Sequence, residues 1–438
     1  MRFFLVQRMK LEALYQIFLS HPLVTTDSRK IEAGSIFFAL KGENFNGNAF
    51  ALSALAKGAS YAVVDEGQYA VSEKILLVDN VLQTLQGLAR LHRQKMDIPI
   101  LAITGTNGKT TTKELVASVL SKRFKVVFTK GNLNNHIGVP LTLLTIKPET
   151  QFGVIEMGAN HPGEIAELCN IALPDYGLIT NVGRAHLEGF GSFEGVIQTK
   201  TELYRFLGQN NGTIFINNAN PFLTGPAGKI RKIGYTTSKG MEGLEGEAIS
   251  AEPFLVFKAL FPKGWLYIKT KLVGRYNLEN ALAAAAIGQY FGIEPTGIAA
   301  AIEAYQPDNN RSQMVDTGRN RLLMDAYNAN PTSTRAALEN FAQLEAPKKG
   351  VILGDMLELG SDAQEEHQKM VDFLGTLKMD AVFLVGNQYS NCILPEPFHH
   401  FFSAGELAIY LKETRLSDFL ILIKGSRGMK LETIEPEL

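Results

Sequence analysis

Two hydrophobic periods take turns along most of this chain. Short apolar runs bounded by glycine, proline or polar residues read as buried strands. Longer stretches with apolar residues three and four apart read as helices packed on one face. Residues 98–104, Ile-Pro-Ile-Leu-Ala-Ile-Thr, form a strand-like run that breaks at Gly105, and a helix is predicted from Lys109 to about residue 123. After it, 125–129, 152–156, 176–181, 212–217 and 230–235 read as strands, and 164–170, 193–207, 277–291 and 294–305 as helices. Residues 254–261 and 265–272 flank Pro262-Lys-Gly264 and read as a hairpin. Strands alternating with helices of this length predict a mostly parallel sheet covered on both faces. Upstream, Leu11, Leu14 and Phe18 repeat at helical spacing, 35–40, 61–64 and 74–78 read as strands, and 49–57 as a short helix. Residues 81–94 form an amphipathic helix with Leu82, Leu85, Leu88, Ala89 and His92 on one face, and the charged run 90–97 reads as a linker. Past a second break at 306–310, strands 321–325, 350–353, 381–385 and 419–423 alternate with helices 333–344, 364–377 and 405–413. That is a Rossmann-like unit without the G-x-G-x-x-G fingerprint. The expected class is α/β in three domains: a small α/β domain over 1–95, a central P-loop-type parallel-sheet domain over 96–306, and a C-terminal Rossmann-like domain over 307–438.

Composition changes this picture little. Apolar residues make up 45% and charged residues 20% of the 438, the balance of a globular enzyme. A formal net charge of −1 supplies no electrostatic reason to expect nucleic acid. The two cysteines, Cys169 and Cys392, are far apart and suggest no disulfide framework, which fits a cytoplasmic location. The N-terminal apolar run is short for a signal peptide, and no stretch of about 20 apolar residues predicts a membrane span.

Chemistry collects where the predicted strands end. Gly105-Thr-Asn-Gly-Lys-Thr110 joins strand to helix, and such a loop can close its N–H groups around a phosphate, with a lysine on the outer oxygens and a threonine hydroxyl on Mg²⁺. The general P-loop pattern wants a glycine at position 103, where Ile103 stands. Glu156-Met-Gly-Ala-Asn-His161 and Asn181-Val-Gly-Arg-Ala-His186 end two further strands. A carboxylate, a histidine and a Lys-Thr loop on one edge are what a Mg·ATP site needs, although Glu156 could cap the following helix and His186 could bond a loop carbonyl. Lys200 lies among Gln198, Thr201 and Glu202, which on spacing alone is a solvated face. Asn277 and Asn280 open the alanine-rich helix, Asn277 in the position of an N-cap. In the last domain Asp325, Asn328 and Asn330 follow the first strand, Asp355 and Glu358 the second, and Lys424-Gly-Ser-Arg427 the last, so cations suited to a carboxylate share that edge.

Taken together these segments closely resemble the Mur ligase family over essentially the whole chain. The Gly105–Thr110 loop has that family's form, which accounts for the missing glycine. Matching segments are Gly131-Asn-Leu-Asn-Asn-His-Ile-Gly138, Ile155-Glu-Met-Gly-Ala159, Ala185-His-Leu-Glu-Gly-Phe-Gly191, Gly274-Arg-Tyr-Asn-Leu-Glu-Asn280, Asp325-Ala-Tyr-Asn-Ala-Asn-Pro331, Leu353-Gly-Asp-Met-Leu-Glu-Leu-Gly360 and Lys424-Gly-Ser-Arg427. Within the family the chain is most similar to the type that adds D-alanyl-D-alanine to UDP-N-acetylmuramoyl-tripeptide, with ATP and Mg²⁺, in peptidoglycan synthesis.

The resemblance implies that Ser28, Arg29, Lys41, Gly42 and Asn44 hold the UDP end of the sugar nucleotide. It implies ATP contacts from Gly105, Thr106, Asn107, Gly108, Lys109, Thr110 and Thr111, with Asn280 at the adenine, Arg311 at the phosphates and Asp325 at the ribose. Thr110, Glu156, His186 and Lys200, the last as a carbamate, are the implied metal ligands. Lys109, Lys200, His186 and Glu156 carry catalysis, and Asn328, Asn330, Asp355 and Ser426 hold the dipeptide. A monomer without nucleic-acid or membrane partners is expected. Tyr276 departs from the pattern, standing where some members have histidine. A folylpolyglutamate synthase would share the central domain, but Asp27-Ser-Arg29 argues against it, and the Asp-Asn-Pro-Arg signature of the diaminopimelate-adding ligase is absent. A nucleotide-binding switch without ligation is the reading from another class, against which Glu156, His186 and Lys200 weigh.

Overall fold

The computed structural model describes residues 8–185, 187–307 and 310–438. Among them the chain builds three principal sheets in sequence order. The first is a four-stranded parallel sheet ordered Val24–Thr25, Ile36–Phe38, Tyr61–Val64 and Ile75–Leu77. The second has nine strands. Its parallel part runs Leu244–Ser250, Arg231–Thr236, Thr213–Asn217, Tyr176–Ile179, Ile100–Thr104, Phe152–Glu156 and Val126–Phe128. The predicted hairpin, Val256–Phe261 and Gly264–Lys269, continues it antiparallel, with Phe261 opposite Gly264. The strand Leu244–Ser250, too polar to read as one, joins the two parts.

The strand Ile100–Thr104, between Tyr176–Ile179 and Phe152–Glu156 in this sheet, is fully buried, because helices cover both faces. On one face the helix Asn277–Tyr290 packs against Lys109–Leu120. Its run Ala281–Ala286 is buried, and a methyl at Gly288 would meet Val119 Cγ1 at 2.5 Å, so small residues are what permit the close approach.

The third sheet is ordered Gln313–Asp316, Arg321–Asp325, Phe419–Lys424, Lys348–Gly354, Ala381–Val385 and His399–Phe401, parallel except for its first strand. Both edge strands were missed by periodicity, being short and half-exposed. The break expected at 306–310 lies partly outside the described residues.

Three other expectations change. The charged run 90–97 is no linker: the helix Val81–Lys95 continues through it, and Arg93 is buried. Arg93 donates from Nε to Ala172 O at 3.1 Å and from Nη2 to Leu173 O at 3.2 Å and Asp175 Oδ2 at 2.9 Å. One apolar cluster accordingly runs from Leu14 and Leu85 to Leu143, Ile165 and Ile214, so the first two sheets share a core. The helix expected over 193–207 is two, Phe193–Lys200 and Glu202–Gln209. Thr201 Oγ1 bonds back to Ile197 O at 2.8 Å and Gln198 O at 3.2 Å, a competition that bends helices. Finally, Asn277 does not cap its helix. It is the first helical residue and donates to Val273 O at 2.8 Å.

Candidate functional site

The candidate phosphate loop grows out of the buried strand Ile100–Thr104. Ile103, where the general motif has glycine, is a fully buried strand residue, so the loop proper begins at Gly105. Gly105 (φ +143°) and Gly108 (φ +77°) turn it. A methyl at Gly105 would stand 2.0 Å from Thr180 Oγ1, and one at Gly108 2.5 Å from Asn280 Oδ1. The neighbouring strand end clamps the loop: Thr106 N donates to Asn181 O and Asn107 N to Asn181 Oδ1, while Thr180 Oγ1 and Asn181 Nδ2 donate to Asn107 O. Lys109 folds back over it, donating to Gly105 O at 2.7 Å and Thr106 O at 2.9 Å. Burial pushes this ammonium down to about 8, Glu156 opposing and Arg311 assisting. The N-terminus of the helix Lys109–Leu120 adds its partial positive charge to the same place.

Glu156 closes the adjacent strand and is almost fully buried. It caps no helix. Its carboxylate accepts from Thr110 Oγ1 at 2.9 and 3.1 Å and from Asn134 Nδ2 at 2.8 Å. Asn134 sits in the 131–138 segment, and nothing local in the sequence marks its side chain as a partner of Glu156. Lys200 is not on a solvated face. The break at Thr201 leaves it 2% exposed, with Nζ donating to Ala159 O at 3.3 Å and 5.1 Å from the Phe190 ring centre. Burial brings its pKa down to about 7, the Lys109 charge assisting and Glu164 and Glu202 opposing. His186 lies outside the described residues.

The C-terminal sheet brings its own edge to this loop. Lys424, buried at its strand end, donates to Asp325 Oδ2 at 2.7 Å and Asn328 O at 3.2 Å. Arg311 lies 3.6 Å from the Tyr327 ring centre, and among the described residues its Nε has no hydrogen-bond partner. Asn330 caps the helix Pro331–Gln343 through Ser333 N and donates from Nδ2 to Asn107 Oδ1 at 2.8 Å, tying the C-terminal unit directly to the phosphate loop. Asn280, bonded to Asn277 and Thr112, borders Gly108.

These groups enclose a cavity of about 660 Å³. Of the expected residues, Thr106, Asn107, Gly108, Lys109, Thr110, Thr111, Glu156, Asn280, Arg311, Asp325, Asn328 and Asn330 line it. Gly105 and Lys200 stand behind its wall, Lys200 through Ala159.

Asp355 and Ser426 do not reach the cavity. The Asp355 carboxylate accepts from Gln388 N at 3.1 Å, and Ser426 Oγ accepts from Leu357 N at 2.9 Å, so both fasten their own loops. Ser28, Arg29, Lys41, Gly42 and Asn44 lie apart on the N-terminal unit, where Lys41 pairs with Asp65 and Glu66 at 3.0 and 2.9 Å and Arg29 with Asp27 at 2.9 Å.

The chain matches three family descriptions in order: "Mur ligase family, catalytic domain" over 22–93, "Mur ligase middle domain" over 103–288, and "Mur ligase, glutamate ligase domain" over 310–427. The chain belongs to the Mur ligase family. It is 34% identical over 426 residues to the UDP-N-acetylmuramoyl-tripeptide–D-alanyl-D-alanine ligase of Bacillus subtilis, covering 95% of this chain and 92% of that one. Among solved Mur ligases it resembles MurF from Acinetobacter baumannii (29% identity, TM-score 0.88, 99% of both chains). It also resembles MurF from Thermotoga maritima in complex with ADP (26% identity, TM-score 0.85, 96% of this chain and 98% of that one). Mur ligases are ATP-dependent, and a lysine-bearing loop at a helix N-terminus, as found at this cavity, has the chemistry to hold a phosphate.

Proposed function

We propose that this protein joins D-alanyl-D-alanine to UDP-N-acetylmuramoyl-tripeptide with ATP, yielding the UDP-linked pentapeptide for peptidoglycan synthesis. The likeness to a ligase of that activity along 95% of the chain carries the reading. The terminal carboxylate of the tripeptide attacks the γ-phosphorus of ATP, giving an acyl phosphate and ADP. The dipeptide amine then attacks the acyl carbon, phosphate leaves, and the amine gives up its proton.

The chain's contribution is placement and charge. Lys109 and the loop N–H groups hold the outer phosphates, Arg311 reaches them from the C-terminal side, Asn280 meets the adenine and Asp325 the ribose. Thr110 and Glu156 supply oxygen donors only, and no group of three or more His, Cys, Asp or Glu side chains clusters among the described residues. That set fits Mg²⁺, which takes one or two protein oxygens and completes its shell with phosphate and water. When bound, the ion neutralises charge on the phosphates. Lys200 is buried and easily neutral, the form that adds CO₂, which supports its role as a carbamate. Ser28, Arg29, Lys41, Gly42 and Asn44 receive the UDP end, and Asn328 and Asn330 the dipeptide. Asp355 and Ser426 shape the neighbouring loops.

Phosphate release is measured with the UDP-tripeptide and each of D-alanyl-D-alanine, diaminopimelate and glutamate as acceptor. Release that needs D-alanyl-D-alanine is expected, and release with another acceptor in its place refutes the assignment.

A further inference from the structure

Tyr276, where some Mur ligases have histidine, stands on the central unit just before the helix Asn277–Tyr290. Its ring lies over the Gly274 backbone, where an added methyl would meet Tyr276 Cε1 at 2.4 Å. From that seat the hydroxyl reaches across to the C-terminal unit and shares a hydrogen bond of 2.7 Å with Ser312 Oγ. Ser312 is buried, and its N–H donates to Asp325 Oδ1 at 3.2 Å. Asp325 is fixed in turn through its other oxygen, which accepts from Lys424.

The backbone at this crossing is strained. Asn310 (φ +55°) and Ser312 (φ +52°) both lie in the left-handed region, one on either side of Arg311. Asparagine tolerates that region, but serine stays there only where its surroundings hold it. Tyr276 and Asp325 are the groups that hold Ser312.

Arg311 depends on that hold. Among the described residues it has no ion-pair partner, and its guanidinium rests on the Tyr327 ring. Tyr327 follows the strand Arg321–Asp325 on the C-terminal unit, so this stack moves with that unit. The Tyr276–Ser312 bond refers Arg311 to the other unit, the one that carries the phosphate loop. Arg311 and Tyr276 both line the cavity, and the charge of Arg311 is felt at Lys109.

We propose that Tyr276 is a positioning residue for the nucleotide phosphates: its hydroxyl pins Ser312 to the central unit and thereby aims Arg311 at the phosphate loop. The inference rests on the reading of Arg311 as a phosphate contact of ATP, and not on which amine is joined.

Binding of a non-hydrolysable ATP analogue to the full chain is measured by calorimetry without any acceptor, so the outcome is independent of acceptor identity. Arg311→Ala is expected to weaken the analogue; undiminished binding there refutes the role of Arg311 and the inference with it. Given that role, Tyr276→Phe and Ser312→Ala are each expected to weaken the analogue by about tenfold, the size of one net hydrogen bond. The double variant should lose no more than either alone, because both changes remove the same bond. In turnover, KM for ATP should rise by the same factor with kcat and KM for the dipeptide little changed, a split that a general loss of structure would not produce.

In an Arg311→Ala background, Tyr276→Phe should add little. A full further loss there means that the tyrosine acts otherwise than through Arg311, and overturns the proposal. So does wild-type affinity in Tyr276→Phe. Weakening in Tyr276→Phe with none in Ser312→Ala also refutes it, since that is the mark of a hydroxyl touching the nucleotide itself. If Tyr276→Phe does not fold, Ser312→Ala alone and in the Arg311→Ala background decides by the same comparison.

Discussion

Lys109 donates to the carbonyls of its own loop, so in the proposed role its charge would already be in place when phosphate arrives. Lys109→Ala is expected to lower the rate of phosphate release at least a hundredfold, as loss of one preorganised donor does. Turnover near the wild-type rate would sink the assignment of the loop. Gly108 is equally constrained. At φ +77°, with Asn280 Oδ1 2.5 Å from any added methyl, Gly108→Ala must both strain the backbone and displace Asn280. A loss of roughly 2 kcal/mol of stability, read from the denaturation midpoint, should come with weakened ATP binding.

His367, fully buried, makes a pH prediction of its own. Nε2 accepts from Met356 N at 2.9 Å and Nδ1 donates to Ala363 O at 2.6 Å, an arrangement only the neutral ring can make. Burial holds its pKa below the ordinary 6.5, with Asp355 opposing. The unfolded chain therefore binds the proton first as pH falls. The contribution is complete above about pH 6.5 and is lost as pH drops from there toward the lower folded value. Urea midpoints between pH 7.5 and 5.5 should fall for the wild type, and part of that slope should vanish in His367→Gln.

At the scale of elements, the helix Val81–Lys95 decides how the N-terminal sheet is carried. Its apolar face was legible from the spacing of Leu85, Leu88 and Ala89, and all three are buried. The direction of Arg93 was not legible, because its acceptors, Ala172, Leu173 and Asp175, lie about 80 residues on. Asp175 Oδ2 also accepts from Ile100 N at 2.8 Å, so this one contact fastens the helix to the start of the strand Ile100–Thr104. Arg93→Ala should cost about 2 kcal/mol, a buried charge-assisted bond discounted for the half-exposed aspartate. The check is a shift in the urea midpoint with little change in turnover at saturating substrates. The split of the helix expected over 193–207 has a similar lesson. Thr201 can bond its own backbone in a helix or at a break, so its identity alone does not mark the division between Lys200 and Glu202.

For the whole molecule, the cavity exists because the C-terminal unit lies against the Gly105–Thr110 loop, and Asn330–Asn107 is a bond that spans them. Asn330→Ala removes both this bridge and a helix cap, while Asn107→Ala removes the bridge alone. Both should lower kcat/KM for ATP by about tenfold, the size of one net hydrogen bond. Only Asn330→Ala should also lose about 1 kcal/mol of stability from the cap. Equal stability losses in the two variants would contradict this division.

The strand–helix alternation, the restart after residue 306 and the polar clusters at strand ends were all readable in the chain, because each depends on neighbours a few residues apart. So was the loop from Gly105 to Thr110, whose glycines and lysine act within one turn. Depth was not readable. Lys200 and Lys113 carry the same charge as any surface lysine, and only packing by Phe190, Ala159, Glu114 and Glu156 makes them buried groups. Asp355 and Ser426 occupy a strand-end edge as expected, yet Gln388 N and Leu357 N engage their side chains away from the cavity. Periodicity records which face a residue is on. What stands opposite that face, and at what distance, is set by segments up to a few hundred residues away, and only the tertiary structure brings them together.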